Sequence, residues 1–310
     1  MALLIDIRAS DWMEDGALRD LVAPLLPGVT IHCGPPDRKL TDVRMLATIQ
    51  MQPGMVTQLP NLELVQKLGA GVETMLFDAN LPVNVRIARL EPSEQAAEIA
   101  QYCLAEVLAA LRDIRGYYAD QTAKHWLSRP PRRAGKTKIS VLGLGHIGRH
   151  VAALLALNGF QVSGWSRTQK SIDNVHCYCG DDGLDQALTA ADFVIAVLPS
   201  TPQTRGMMAA NRFTKMKPGA VFINVGRGDL VVDQDLLLAL KSHLGGATLD
   251  VFHTEPLPAN HPFWETQNLW ITPHVSGWSL GDGLLDVAEN YKRLIAGKPL
   301  LREIDRAKGY

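Results

Sequence analysis

Val141-Leu-Gly-Leu-Gly-His-Ile-Gly-Arg149 decides the fold of this chain. Lys138–Leu142, just ahead, reads as a short buried strand, and Val151–Leu157 reads as the start of an apolar helix. A G-x-G-x-x-G run between a strand and a helix is the setting in which a dinucleotide binds. Gly143 permits the tight turn, Gly145 lets the backbone approach a pyrophosphate, and Gly148 lets the helix pack on the strand. His146 and Ile147, between them, belong to the same cradle, whose amides and helix dipole face the phosphates.

The next strand, Gln161–Trp165, ends in Ser166-Arg-Thr168. An NAD site usually carries Asp or Glu there, to accept hydrogen bonds from the adenosine ribose. A hydroxyl and a guanidinium, with Lys170 close by, favour a 2′-phosphate instead. The expected cofactor is therefore NADP, with NADPH preferred over NADH. The other reading is that Arg167 and Lys170 only decorate a solvated loop.

The 310 residues can hold two domains. The hydrophobic fraction is 46% and the net charge −1, so no basic field favours nucleic acid or an anionic membrane. No apolar run reaches transmembrane length. Met1–Ile7 reads as a strand rather than a signal peptide. With four cysteines, a cytoplasmic protein is expected. His176-Cys-Tyr-Cys179 matches no common zinc spacing, so no metal is expected. Cys33 and Cys103 read as small buried hydrophobes.

The N-terminal part offers strands at Leu3–Ile7, Val29–His32, Met45–Met51, Leu64–Lys67 and Val85–Ala88, punctuated by Gly and Pro. Alternation with helices argues for a parallel sheet. Ser93–Arg115 reads as one long helix, apolar around much of its circumference, as between domains or subunits. Later strands are Phe193–Val197, Ala220–Val225, Gly246–Leu249 and Leu269–Ile271, followed by a helix near Leu284–Ala296.

Arg227, Glu255 and His274 stand at or just after strand ends, where the loops of an open parallel sheet converge on a ligand crevice. A guanidinium can bind a carboxylate and polarise a carbonyl. An imidazolium can protonate the oxygen that hydride attack leaves negative. A carboxylate beside the imidazolium stabilises it. Singly, each has a plainer reading: a turn cap, a solvated acid, a satisfied core histidine.

These segments resemble the D-2-hydroxyacid dehydrogenase family, above all its glyoxylate/hydroxypyruvate reductase branch. Lys67–Glu73 resembles the substrate-carboxylate loop, and Leu198–Gly206 the loop under the cofactor. Asn224–Gly228, Leu249–Pro258 and Thr272–His274 match the catalytic segments in order. Trp165–Thr168 and Asp305–Tyr310 point to the reductase branch. The resemblance implies an α/β fold. A Rossmann-type doubly wound parallel sheet domain would span 96–275, and a smaller flavodoxin-like α/β substrate domain 1–95 and 276–310.

It implies reduction of a 2-oxo acid, with Arg227 binding substrate, His274 as acid/base and Glu255 as its partner. Leu198, Pro199, Thr204 and Val225 would line the cofactor, and Asp250 would bind the nicotinamide carboxamide. The amides of Gly69, Ala70, Gly71 and Val72 would hold the substrate carboxylate, as glycine-rich turns do for anions. Trp278 would narrow or shield the site, and Gln50–Gly54 would face the substrate. Trp126 either covers the site, from a partner subunit of a homodimer, or packs a helix. Two other readings stay open: a phosphoglycerate dehydrogenase-like enzyme, given that some members lack an appended regulatory domain, and a non-enzymatic NAD(P)H-sensing corepressor-like protein. Formate dehydrogenase would need Gln where Glu255 stands.

Overall fold

The computed structural model describes residues 1–8, 13–76 and 78–307. Its Cα atoms cluster into two compact units, Met1–Gln95 with Ser279–Tyr310, and Ala96–Trp278. Residues 276–278, expected with the first unit, group with the second.

In the first unit the strands are β1 (Ala2–Ile5), β2 (Thr30–Cys33), β3 (Val43–Thr48), β4 (Leu64–Lys67) and β5 (Arg86–Ala88). Among the described residues they form one parallel sheet in the order β2-β1-β3-β4-β5, the flavodoxin-like order. Alternate residues of a strand face opposite sides. Leu3 and Ile5 pack with Leu18, Val22, Val287 and Tyr291, while Leu4, Leu46 and Val65 pack with Met55, Leu59 and Met75. The returning C-terminal segment is fastened by Asn290, which is fully buried. Its Nδ2 donates to Gln66 Oε1 at 2.7 Å, and its Oδ1 accepts the Leu301 amide at 2.7 Å. The segment was expected here from family resemblance alone, and this buried amide is its physical anchor.

In the second unit the strands are β6 (Lys138–Leu142), β7 (Gln161–Ser166), β8 (Val175–Cys179), β9 (Phe193–Ala196), β10 (Val221–Asn224), β11 (Gly246–Leu249) and β12 (Leu269–Ile271). Among the described residues they form one parallel sheet, β12-β11-β10-β9-β6-β7-β8. The winding reverses between β6 and β9, and ligands of such sheets bind beyond that point. Phe193, Phe213, Phe222 and Phe263 are fully buried. Each contributes roughly 1.5–3 kcal/mol by leaving water.

Cys33, expected to be a small buried hydrophobe, ends β2 at an exposed position, whereas Cys103 is buried as expected. One strand was not expected, and one helix is shorter than expected. His176-Cys-Tyr-Cys179 lies in β8, an edge strand paired with β7. The long helix runs only over Ser93–Leu111; Asp113 turns left-handed, with φ of 53°, and a second helix covers Ile114–Thr122. A Cβ at Gly116 would sit 2.4 Å from the Asp113 carboxylate, which would have to rotate away to admit a side chain there. The first helix buries a single stripe, Ala96, Ile99, Ala100, Cys103, Val107 and Leu111, and leaves Leu108 exposed. Among the described residues no helix is long and apolar enough to cross a membrane.

Candidate active site

The glycine motif leaves β6 and enters the helix His146–Leu157. Its three glycines are required for different reasons. Gly143 has φ of 102°, and a Cβ there would lie 2.7 Å from Val197 O, beyond β9. A Cβ on Gly148 would lie 1.7 Å from Gly143 O, so that glycine serves helix–strand contact. At Gly145, an exposed residue, a Cβ would meet nothing within 4 Å. Its φ of −76° is open to any residue. No protein atom demands this glycine, which fits a backbone kept bare for a close ligand. His146 and Ile147 are half-buried in the first turn of the helix.

Ser166 ends β7 and is buried, and its hydroxyl donates to Thr168 O at 2.8 Å. Its proton therefore shapes the turn. Arg167, Thr168 and Lys170 are exposed beyond it, so positive charge stands where a ribose-binding acid would be. After β9, Leu198, Ser200, Thr201 and Thr204 are buried. Thr204 Oγ1 closes that loop by donating to Pro199 O at 2.6 Å and accepting the Thr201 amide at 2.8 Å.

Arg227 follows β10 and the buried Val225. A Cβ on Gly226 would come within 2.6 Å of Leu198 O, and one on Gly228 within 1.9 Å of the Phe252 carbonyl carbon. The two glycines let the arginine turn sit between the loops after β9 and β11. Asn224, fully buried, closes it: Nδ2 donates to Arg227 O at 2.9 Å and Oδ1 accepts the Gly226 amide at 3.1 Å. Asp229, absent from the sequence reading, ties this turn to the loop after β9, binding the Ser200 hydroxyl and, at 3.1 Å, Arg205 Nε.

His274 follows β12. Its Nδ1 lies 2.7 Å from Glu255 Oε2, and Glu255 Oε1 accepts the Phe252 amide at 2.8 Å. Facing a carboxylate, Nδ1 carries the proton, which leaves Nε2 as the working nitrogen. Burial alone would raise the Glu255 carboxyl. The hydrogen bonds from His274 and Phe252, with the charges of His274 and Arg227, hold it below its ordinary value. The three side chains thus share one electrostatic neighbourhood.

The His274 backbone is left-handed, with φ of 56°. That geometry costs an L-residue roughly 1–2 kcal/mol. Its amide donates to Asp250 O at 2.8 Å and to Thr272 O at 3.0 Å, which holds it there. Asp250 was expected at the nicotinamide carboxamide. It is fully buried, and its carboxylate accepts the Thr272 hydroxyl at 2.6 Å and the amides of Val275 and Ser276 at 2.9 Å each. What the structure shows of Asp250 is an organiser of the loop that carries His274.

A family profile described as the NAD-binding domain of D-isomer specific 2-hydroxyacid dehydrogenase matches residues 104–276. The chain belongs to that family. Among 2-hydroxyacid dehydrogenases of known structure, the enzyme of Xanthobacter autotrophicus Py2, in complex with NADPH and MES, superposes with a TM-score of 0.93 at 34% identity, covering 100% of this chain and 99% of that one. The NADPH-dependent glyoxylate/hydroxypyruvate reductase of Sinorhizobium meliloti, in complex with NADP and sulfate, gives 0.92 at 31% identity, over 100% and 99%. Glyoxylate/hydroxypyruvate reductase A of Photorhabdus laumondii is 38% identical over 78% of this chain and 80% of its own.

In this 2-hydroxyacid dehydrogenase, Gly69–Val72 directly follows β4 in the first unit. Gly69 has φ of 143°. Among the described residues, no acceptor pairs with the amides of Ala70, Gly71 and Val72. In the Gln50–Gly54 segment, Met51 is buried and Gln50 exposed. Trp278 is 45% exposed, its amide bonded to Glu98 Oε2 at 2.7 Å. Trp126 is 101% exposed, which excludes packing on a helix of its own chain. Of the closing Asp305–Tyr310 motif, residues 308–310 lie outside the described residues.

Proposed function

We propose that this 2-hydroxyacid dehydrogenase uses NADPH to reduce small 2-oxo acids, glyoxylate and hydroxypyruvate first among them. The observation that carries the reading is the His274–Glu255 pair at 2.7 Å with the Arg227 charge beside it. The relatives named for glyoxylate and hydroxypyruvate support the substrate class. Arg167 and Lys170 support the phosphorylated cofactor, as do the relatives crystallised with NADPH and NADP.

NADPH, when bound across Gly143–Gly148, Ser166–Thr168, Leu198–Thr204 and Val225, supplies the hydride. Arg227 holds the substrate carboxylate and polarises its carbonyl. As negative charge grows on the carbonyl oxygen, His274 Nε2 gives it a proton. Glu255, bonded to Nδ1, fixes the orientation of the ring and turns Nε2 to the substrate. The bare amides of Ala70–Val72 suit a carboxylate oxygen. Asp250 holds the loop under this chemistry, and Trp278 limits water access.

We also propose a cytoplasmic two-fold homodimer, built around the Ser93–Leu111 helix and the segment to Trp126. Exposed Leu108, Ile114, Tyr118, Trp126 and Leu127 support it. The test of the catalytic reading is loss of NADPH absorbance with a panel of 2-oxo acids. Turnover of glyoxylate or hydroxypyruvate is expected, and a chain that reduces neither refutes it.

A further inference from the structure

Asp250 is reached from behind by a chain of hydroxyls. Tyr102, on the helix Ser93–Leu111, places its phenol oxygen 2.7 Å from Thr272 Oγ1. Thr272 has one hydroxyl proton, and it goes to Asp250 Oδ1 at 2.6 Å. Tyr102 must therefore be the donor in the first bond. Burial holds the Tyr102 phenol well above its ordinary value, so it keeps that proton. The order is fixed: Tyr102 donates to Thr272, and Thr272 donates to Asp250. Around Asp250 the backbone of His274, Val275 and Ser276 is then wrapped by its amides.

The helix that starts this chain is itself pinned. Glu106, one turn beyond Tyr102, accepts the Thr248 hydroxyl of β11 at 2.8 Å and pairs with Arg115. The Arg115 guanidinium lies 4.2 Å from the centre of the Trp270 ring on β12. A strained catalytic residue is best held by groups on rigid elements. Here the strained residue is His274, and its support is a helix fixed to the last two strands.

We propose that Tyr102 and Thr272 are positioning residues which, through Asp250, set the His274 imidazole for proton delivery. The proposal rests on the reading of His274 as proton donor. It makes a distinction that sequence did not: Thr272 matters for its hydroxyl rather than for its place in the loop.

The experiment compares Thr272→Val, which keeps the shape, with Thr272→Ser, which keeps the hydroxyl, and adds Tyr102→Phe. Thr272→Val is expected to lower kcat for glyoxylate by about tenfold to a hundredfold, as displacement of a catalytic group does. KM and NADPH affinity stay near wild type, Thr272→Ser recovers the rate, and Tyr102→Phe gives a smaller loss. A fall in kcat that Thr272→Ser fails to recover, or one matched by lost NADPH affinity, overturns the proposal.

A second measurement is independent of turnover. Long-range proton–nitrogen spectra of the imidazoles, with His274→Asn to identify the signal, report its tautomer. Wild type is expected to show the proton held on Nδ1, and Thr272→Val a mixture. An unchanged His274 signal in Thr272→Val refutes the positioning role. Absence of turnover by the wild-type chain instead refutes the functional reading.

Discussion

The carboxylate of Glu255 bridges two parts of the site: Oε2 lies 2.7 Å from His274 Nδ1, and Oε1 takes the Phe252 amide at 2.8 Å. Because Phe252 also abuts Gly228, beside Arg227, the acid that orients the imidazole is registered against the turn that carries the guanidinium. His274 and Arg227, the proposed proton donor and the proposed substrate anchor, are therefore positioned by one short stretch of backbone.

Removing the imidazole tests the chemistry. His274→Asn is the suitable variant, because asparagine tolerates the left-handed backbone that His274 adopts. General acid catalysis is worth about 10²–10⁴-fold, so kcat should fall by at least the lower figure while NADPH still binds. Steady-state rates with glyoxylate and a direct binding titration decide it. Near-wild-type kcat would overturn the mechanism.

Acid stability follows from the lowered Glu255 carboxyl. A group whose value is depressed in the folded chain adds stability that is complete above its unfolded value and lost as pH falls through its folded one. The Tm of wild type should exceed that of Glu255→Gln near neutrality, and the gap should close on acidification. A gap that widens in acid contradicts the assignment.

Arg167→Ala should discriminate between the cofactors. A hydrogen bond to a charged group is worth about 1.5–3 kcal/mol, so NADPH should weaken by that order while NADH is untouched. Equal losses for both in calorimetric titration would mean that Arg167 does not read the 2′-phosphate.

The glycines of the motif should separate by experiment. Gly148→Ala drives a methyl into Gly143 O, and overpacking of that kind costs about 1–3 kcal/mol or more. Gly145→Ala meets open space, so its Tm should match wild type while its NADPH affinity drops. Urea unfolding and cofactor titration of both variants check this. An unstable Gly145→Ala protein would show that this glycine is structural.

Dimer formation has a direct readout. Sedimentation at micromolar concentration should give a species of twice the 33.9 kDa chain, and Trp126→Ala should shift it toward the single chain. A wild-type protein that sediments as one chain rules the dimer out.

Strand–glycine–helix order, the two parallel sheets and the placing of Arg227, Glu255 and His274 after strand ends were legible because each leaves a local pattern. Periodicity marks the strands, and a polar residue after an apolar strand marks the sheet's carboxyl edge. β8 was not legible: Val175–Cys179 is a short edge strand in which no residue is fully buried, so it lacks the apolar run that marks the inner strands. The bend at Asp113 escaped because the apolar period of the helix runs close to it, and only φ records the turn. The partners of Asp250, Ser166 and Tyr102 escaped for another reason. A side chain's hydrogen bonds join residues far apart in sequence, 170 positions for Tyr102 and Thr272, and no spacing rule reaches that far.

The clasp on either side of Arg227 limits how this chain can change. Gly226 is closed off by Leu198 and Gly228 by Phe252, so any side chain there must move a neighbouring loop. Adaptation to a bulkier acid cannot begin at the anchor itself. It has to come from positions whose neighbours are solvent, Trp278 among them, so a redesigned substrate preference would leave the backbone around Arg227, the proposed anchor, as it stands.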